Sequence, residues 1–143
     1  MSSTSEVADR QELRELVERY AVVTDRRNLA ALGALFTPDA VLETPGGGEK
    51  RGREAITGLL LVLDSKYYLS MHFVGNHVVD FLEDGAVGET YCIAHHIYKV
   101  DEVERDTVMF IRYHDKFART AEGWQIARRK LGIDWQEDRP TTV

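Results

Sequence analysis

Residues 72–133, HFVGNHVVDFLEDGAVGETYCIAHHIYKVDEVERDTVMFIRYHDKFARTAEGWQIARRKLGI, decide the fold. Their apolar residues favour every second position, the spacing of a strand with one covered face. HFVGNHVVDF (72–81) reads as a first strand, followed by the turn EDGA. Gly88 to Lys99 and Thr107 to Thr120 read as two long strands, and the turn AEG leads into a last one, WQIARRKLGI (124–133). Strand runs joined by short turn signals pair with their neighbours, so this half predicts an antiparallel meander.

Toward the N-terminus the period becomes helical. Ser3 and Glu6 have capping-box spacing, with Asp9 as a rival start. Leu13, Val17 and Ala21 form an i, i+4 row flanked by Leu16, Tyr20 and Thr24, with Glu12, Glu15, Glu18 and Arg19 opposite, which predicts an amphipathic helix over 6–25. A second short helix runs from Asn28 through LAALGALF and stops at Thr37-Pro38-Asp39. AVLET (40–44) reads as a short strand, PGGGEKRG (45–52) as a loop and Arg53 to Leu63 as a third helix. Helices followed by strands predict an α+β domain over 1–143, with three helices on the concave face of one curved antiparallel sheet. Residues 1–8 read as flexible and 136–143 as a C-terminal tail. A strongly curved sheet leaves a pocket between its concave face and the helices.

The 143 residues carry 18 Lys and Arg against 24 Asp and Glu, a net charge of −6. An acidic chain argues against nucleic-acid binding, which needs cationic surface to displace counterions from phosphates. The single cysteine, Cys92, excludes an intramolecular disulfide and favours a reducing, cytoplasmic setting. MSSTSEVADRQE lacks the apolar core of a secretory signal, and the run Leu59 to Leu63 is too short to span a membrane.

Asp25 extends the apolar row of the first helix and falls at the border of its buried face. It is either a solvated helix-end carboxylate or one aimed inward. His72 opens the first long strand, and strict alternation turns His77 to the opposite face. His72 is either a hydrogen-bonded sheet histidine or a general base, since imidazole exchanges protons near neutral pH. Arg128 and Arg129 fall on opposite faces of the last strand, so one of them faces inward. His95 and His96 are adjacent, and no HxH or HExxH spacing supplies a metal site. Neither GxGxxG nor a phosphate loop nor GxSxG is present, so no cofactor is expected. Cys92, Ala94, Tyr98, Val108 and Phe110 are expected on the outer face of the sheet, where they would promote self-association.

The fragments YAVVTDRRNLAALGALFTPDAVLE, GREAI, HFVGNHVVDFLEDGAVGETY and RYHDKFARTAEGWQIARRKL, closed by DW, resemble the SnoaL-like group of the nuclear transport factor 2-like superfamily. The resemblance spans residues 9–135 and implies a cone: a curved sheet wrapped around helices with a deep apolar pocket. Its closest pattern is the scytalone dehydratase, lindane dehydrochlorinase and bile-acid dehydratase type, which implies that Asp25 and His72 form a catalytic pair. It further implies that Tyr20 or Arg129 binds a developing oxyanion or leaving group, and that Leu42, Tyr67 and Tyr113 wall the pocket. The resulting expectation is a cofactor-independent lyase or isomerase acting on a small apolar molecule, polycyclic or polyketide-like, in a homodimer or homotrimer. The alternatives are a polyketide cyclase and a non-catalytic ligand-binding or assembly domain.

Overall fold

In the computed structural model, which describes residues 3–143, three helices precede a continuous meander of four long strands. Helix α1 spans Thr4–Asp25, α2 Leu29–Ala34 and α3 Arg53–Lys66. Strands β1 (Phe36–Glu43) and β2 (Glu49–Arg51) lie between α2 and α3; β3 (Leu69–Leu82), β4 (Gly85–Val100), β5 (Val103–Thr120) and β6 (Gly123–Pro140) follow. The sheet order is β2-β1-β6-β5-β4-β3. All neighbours run antiparallel except β1 and β6, which are parallel, so the sheet is a meander with one parallel pairing near its edge.

Local chemistry sets the boundaries. The Ser3 hydroxyl accepts the Glu6 N–H, so α1 starts at Thr4, and residues 4–8, expected to be flexible, form its first turns. Met1 and Ser2 of that expected segment lie outside the described residues. The Asn28 side chain accepts from the Ala31 N–H and caps α2. Strand β1 begins at Phe36, ahead of the expected 40–44, because Phe36 pairs with Ile126 of β6. An irregularity between Phe36 and Val41 accommodates Pro38, which has no N–H to offer a ladder. The expected loop 45–52 contains the short strand β2, which turns back through Gly46 and Gly47 at positive φ. Residues 136–140, expected as tail, are strand: Gln136 to Pro140 pair with Met109 to Arg105 of β5.

Leu13, Val17 and Tyr20 of α1 pack with Phe36, Ile56, Leu60, Phe117 and Ile126 to form the core on the concave side. Side chains of this kind contribute about 1.5–3 kcal/mol each on full burial. Cys92 and Ala94, expected on the outer face, belong to this core. Pairing decides their face: Ala94 lies between His72 on β3 and Met109 on β5, and His72 looks toward α1. The outer face instead exposes Met71, Phe73, Tyr91, Ile93 and Trp135.

Strand β3 departs from strict alternation. Phe81 faces Ala86 and His77 faces Thr90, but beyond a bulge Val74 faces Cys92 and His72 faces Ala94. Gly75 and Asn76 together oppose Tyr91, so one residue is gained and the side chains beyond reverse face. His77, expected on the face opposite His72, therefore shares its side of the sheet; its Nδ1 meets Thr90 Oγ1 at 2.8 Å. The same bulge brings Ser70 and His96 together as a cross-strand pair on the inner face.

Candidate active site

Asp25 is the last residue of α1, where the apolar row reaches the rim of the buried face, and its side chain turns toward β3. His72 Nδ1 lies 2.7 Å from Asp25 Oδ1, and the His72 backbone N–H donates to Oδ2 at 2.8 Å. Ser70 donates to Oδ1 at 2.8 Å. Burial raises the Asp25 pKa, but the donors from His72 and Ser70 outweigh it and hold the carboxyl below its ordinary range. An ionised carboxylate only accepts, so Nδ1 of His72 carries a hydrogen, and in the neutral form of the ring the lone pair is on Nε2.

His72 forms part of the wall of a cavity of about 240 Å³ between α1, α3 and the sheet. A dry cavity of about 150 Å³ admits benzene, so this one has the capacity for roughly a two-ring molecule. Its apolar lining includes Leu32, Leu42, Ile56, Leu60, Met109 and Ile133. Its polar groups are His72, His96, Tyr20, Tyr113, Thr24 and Thr44, none of them a carboxylate, lysine or arginine. The Thr24 hydroxyl is buried without a protein partner among the described residues. A cavity of this lining favours a neutral, largely apolar ligand.

His96 stands beside the pair, its ring 5.4 Å from that of His72 and nearly perpendicular to it. It is 3% exposed, and burial, reinforced by the neighbouring His72, lowers its pKa to about 4. It is therefore neutral at physiological pH, with Nδ1 3.3 Å from the Thr107 carbonyl. Tyr20 and Tyr113 contact edge to face at 5.6 Å, and burial raises both phenol pKa values. Both remain protonated and able to donate at neutral pH.

Arg129 is fully buried, with Nε and Nη2 each 2.7 Å from an Asp115 carboxylate oxygen. Its guanidinium lies 4.1 Å from the Tyr20 ring centre and 4.0 Å from that of Tyr113. Of the two adjacent arginines it is thus the inward one, whereas Arg128 reaches Glu43 and Glu49. Arg129 does not line the cavity; it sits behind the two tyrosines and braces them. Tyr67 also stands behind the lining, its ring 4.9 Å from that of His96. The fold thus places His72, Tyr20, Leu42 and Tyr113 on the cavity wall, with Asp25, Arg129 and Tyr67 in contact with wall residues. Among the described residues no group of three or more His, Cys, Asp or Glu converges on a point that a metal ion would fill.

A SnoaL-like domain profile matches residues 5–130. The chain belongs to the SnoaL-like family of the nuclear transport factor 2-like superfamily. An uncharacterized protein of Mycobacterium tuberculosis is 32% identical to this SnoaL-like chain over 132 residues, covering 90% of this chain and 88% of the relative. The hexachlorocyclohexane dehydrochlorinase LinA type 3 of Novosphingobium barchaimii superposes with a TM-score of 0.85 at 17% identity, over 98% of this chain and 94% of that one. A candidate scytalone dehydratase of Novosphingobium aromaticivorans superposes at 0.83 with 20% identity, over 95% and 91% of the two chains. At these identities the structural neighbours establish the SnoaL-like cone.

Ser70 escapes the sequence reading, Thr24 is read only as a flank of the helical row, and the choice between His95 and His96 stays open there. The turn EDGA, taken with an unbroken ladder, would set His95 rather than Ala94 opposite His72 and so turn His96 outward. Only the bulge at Gly75 and Asn76 reverses that, and a glycine within a strand pattern was the one available signal of it.

Proposed function

We propose that this SnoaL-like domain is a cofactor-independent lyase or isomerase acting on a neutral, apolar molecule of about two rings. The observation that carries the reading is the 2.7 Å contact between His72 Nδ1 and Asp25 Oδ1 at the wall of an uncharged cavity. Nε2 of His72 takes a proton from a carbon next to an activating group. The C–H electron pair forms the new double bond, and either a leaving group departs or the proton returns at another carbon. Asp25 holds the tautomer and stabilises the imidazolium that forms. Tyr20 and Tyr113, as neutral phenols, donate to the oxygen or leaving group on which charge develops. Arg129 acts through these two rings. The structural neighbours named as a dehydrochlorinase and a candidate scytalone dehydratase are both named for eliminations, which supports this reading.

Neutral cyclic β-hydroxyketones and halocycloalkanes of one or two rings, incubated with the protein, are the direct test. Appearance of alkene product, lost in His72→Ala, supports the reading. Thermal stabilisation by these compounds without turnover would instead mark a ligand-binding domain, because a ligand that binds only the folded state raises its melting temperature.

A further inference from the structure

Arg27 occupies a conformation that needs explanation. It follows the end of α1 with φ at 54°, in the left-handed region that side chains other than glycine avoid. Such a residue persists where its surroundings over-determine it. The Arg27 guanidinium donates to the Thr24 carbonyl at 3.0 Å, the Tyr67 carbonyl at 2.9 Å and Ser70 Oγ at 2.7 Å, and lies 3.3 Å from the Asp64 carboxylate. The strained backbone thus delivers a cation under the α3–β3 junction and beside the strand that carries His72.

We propose that Arg27 and Ser70 form a positioning relay that sets the tautomer of His72, an inference resting, for its effect on rate, on the reading of His72 as the base. Arginine can only donate. Arg27 Nη1 therefore fills an acceptor site on Ser70 Oγ, and the serine hydrogen is left to point to Asp25 Oδ1, 2.8 Å away. Ser70 on one side and the His72 backbone N–H on the other fix the carboxylate plane. The remaining lone pair of Oδ1 then faces His72 Nδ1, and the lone pair of the ring faces the cavity. Neither Arg27 nor Ser70 belongs to the cavity wall, so both act through Asp25.

Long-range proton–nitrogen correlation of the histidine rings in uniformly ¹⁵N-labelled full-length protein tests this without a substrate. The parent protein is expected to show neutral His72 in one form, hydrogen on Nδ1. Ser70→Ala removes one hydroxyl and should introduce a measurable population with hydrogen on Nε2, and Arg27→Gln should do the same. Asp64→Ala, which removes an Arg27 contact that does not lead to Asp25, should leave the tautomer unchanged. A folded Ser70→Ala protein with Nδ1 still fully protonated would overturn the relay; should Arg27→Gln not fold, Ser70→Ala decides alone. A shift in Ser70→Ala with none in a folded Arg27→Gln would remove Arg27 from it. With a substrate in hand, Ser70→Ala should lower kcat about tenfold at unchanged KM, in line with the 10–100-fold losses on removing groups that orient metal-bound histidines. The two proposals fail separately: turnover surviving in His72→Ala ends the catalytic reading, while the ring spectra still report on the relay.

Discussion

His72 grips Asp25 twice, through its ring at 2.7 Å and through its own backbone N–H at 2.8 Å, so the two carboxylate oxygens are held by one residue. The carboxylate therefore cannot rotate away without breaking a main-chain hydrogen bond, and the imidazole is aimed by the strand as much as by its side-chain torsions.

His72→Ala is expected to abolish turnover while leaving the far-ultraviolet circular dichroism unchanged. Asp25→Asn keeps the shape but presents an amide in place of the acceptor-only carboxylate, which favours the wrong tautomer. A comparable change beside a protease histidine costs about 10⁴ in kcat, and a loss of that order is expected here. Loss of stability in both variants with activity retained would show the pair to be structural.

Arg129 and Asp115 form a bidentate pair with both side chains shut off from solvent. Removing one partner of such a pair leaves a bare buried charge and typically costs 3–5 kcal/mol. Arg129→Met and Asp115→Leu should each fall in that range in urea denaturation. The double variant should be more stable than either single one, since it leaves no unpaired charge. Additive losses would indicate that packing against Tyr20 and Tyr113 outweighs the electrostatics.

The helix-first, strand-second order was readable because each segment keeps one period over several turns or pleats. Asp25 and His72 were readable for related reasons: one prolongs a helical row and the other opens a strand. The faces of β3 and β4 were not. A two-residue count decides which side a strand residue takes, and the bulge at Gly75 and Asn76 changes that count midway. His77, Cys92 and Ala94 were misplaced on that account, and the choice between His95 and His96 could not be made. Arg27 was invisible for a different reason: nothing local marks an arginine that adopts positive φ to serve contacts 37 to 43 residues away.

The outer face exposes Phe73, Met71, Ile93 and Trp135, with Trp135 stacked on Phe110 at 4.2 Å. Contiguous apolar surface of this kind is normally covered, and a second copy of the chain is the expected cover. Light scattering at micromolar concentration should give a mass above the 16.3 kDa of one chain. Trp135→Glu with Phe73→Glu should return it to that mass without altering the cavity on the opposite face. A monomeric parent protein would refute this.

Stability should depend on pH through His96. Its pKa falls from 6.5 to about 4 because the buried ring cannot be charged cheaply beside His72. Between those values the unfolded chain takes up a proton that the folded protein refuses, so stability rises with pH across that window and is lost as pH drops from 6.5 toward 4. The shift corresponds to a loss of up to about 3 kcal/mol once the pH is below both values. Burial lowers the His77 pKa as well, which adds to the same slope. The lowered Asp25 pKa acts with the same sign at more acid pH, below its ordinary value of 3.8, and does not blur the window. Urea unfolding at a series of pH values from 4.5 to 7 should therefore show midpoints rising with pH, and His96→Gln should flatten much of that rise. A parent protein whose midpoint is constant over this range, or a His96→Gln protein with an undiminished slope, would show that His96 accepts its proton as readily folded as unfolded.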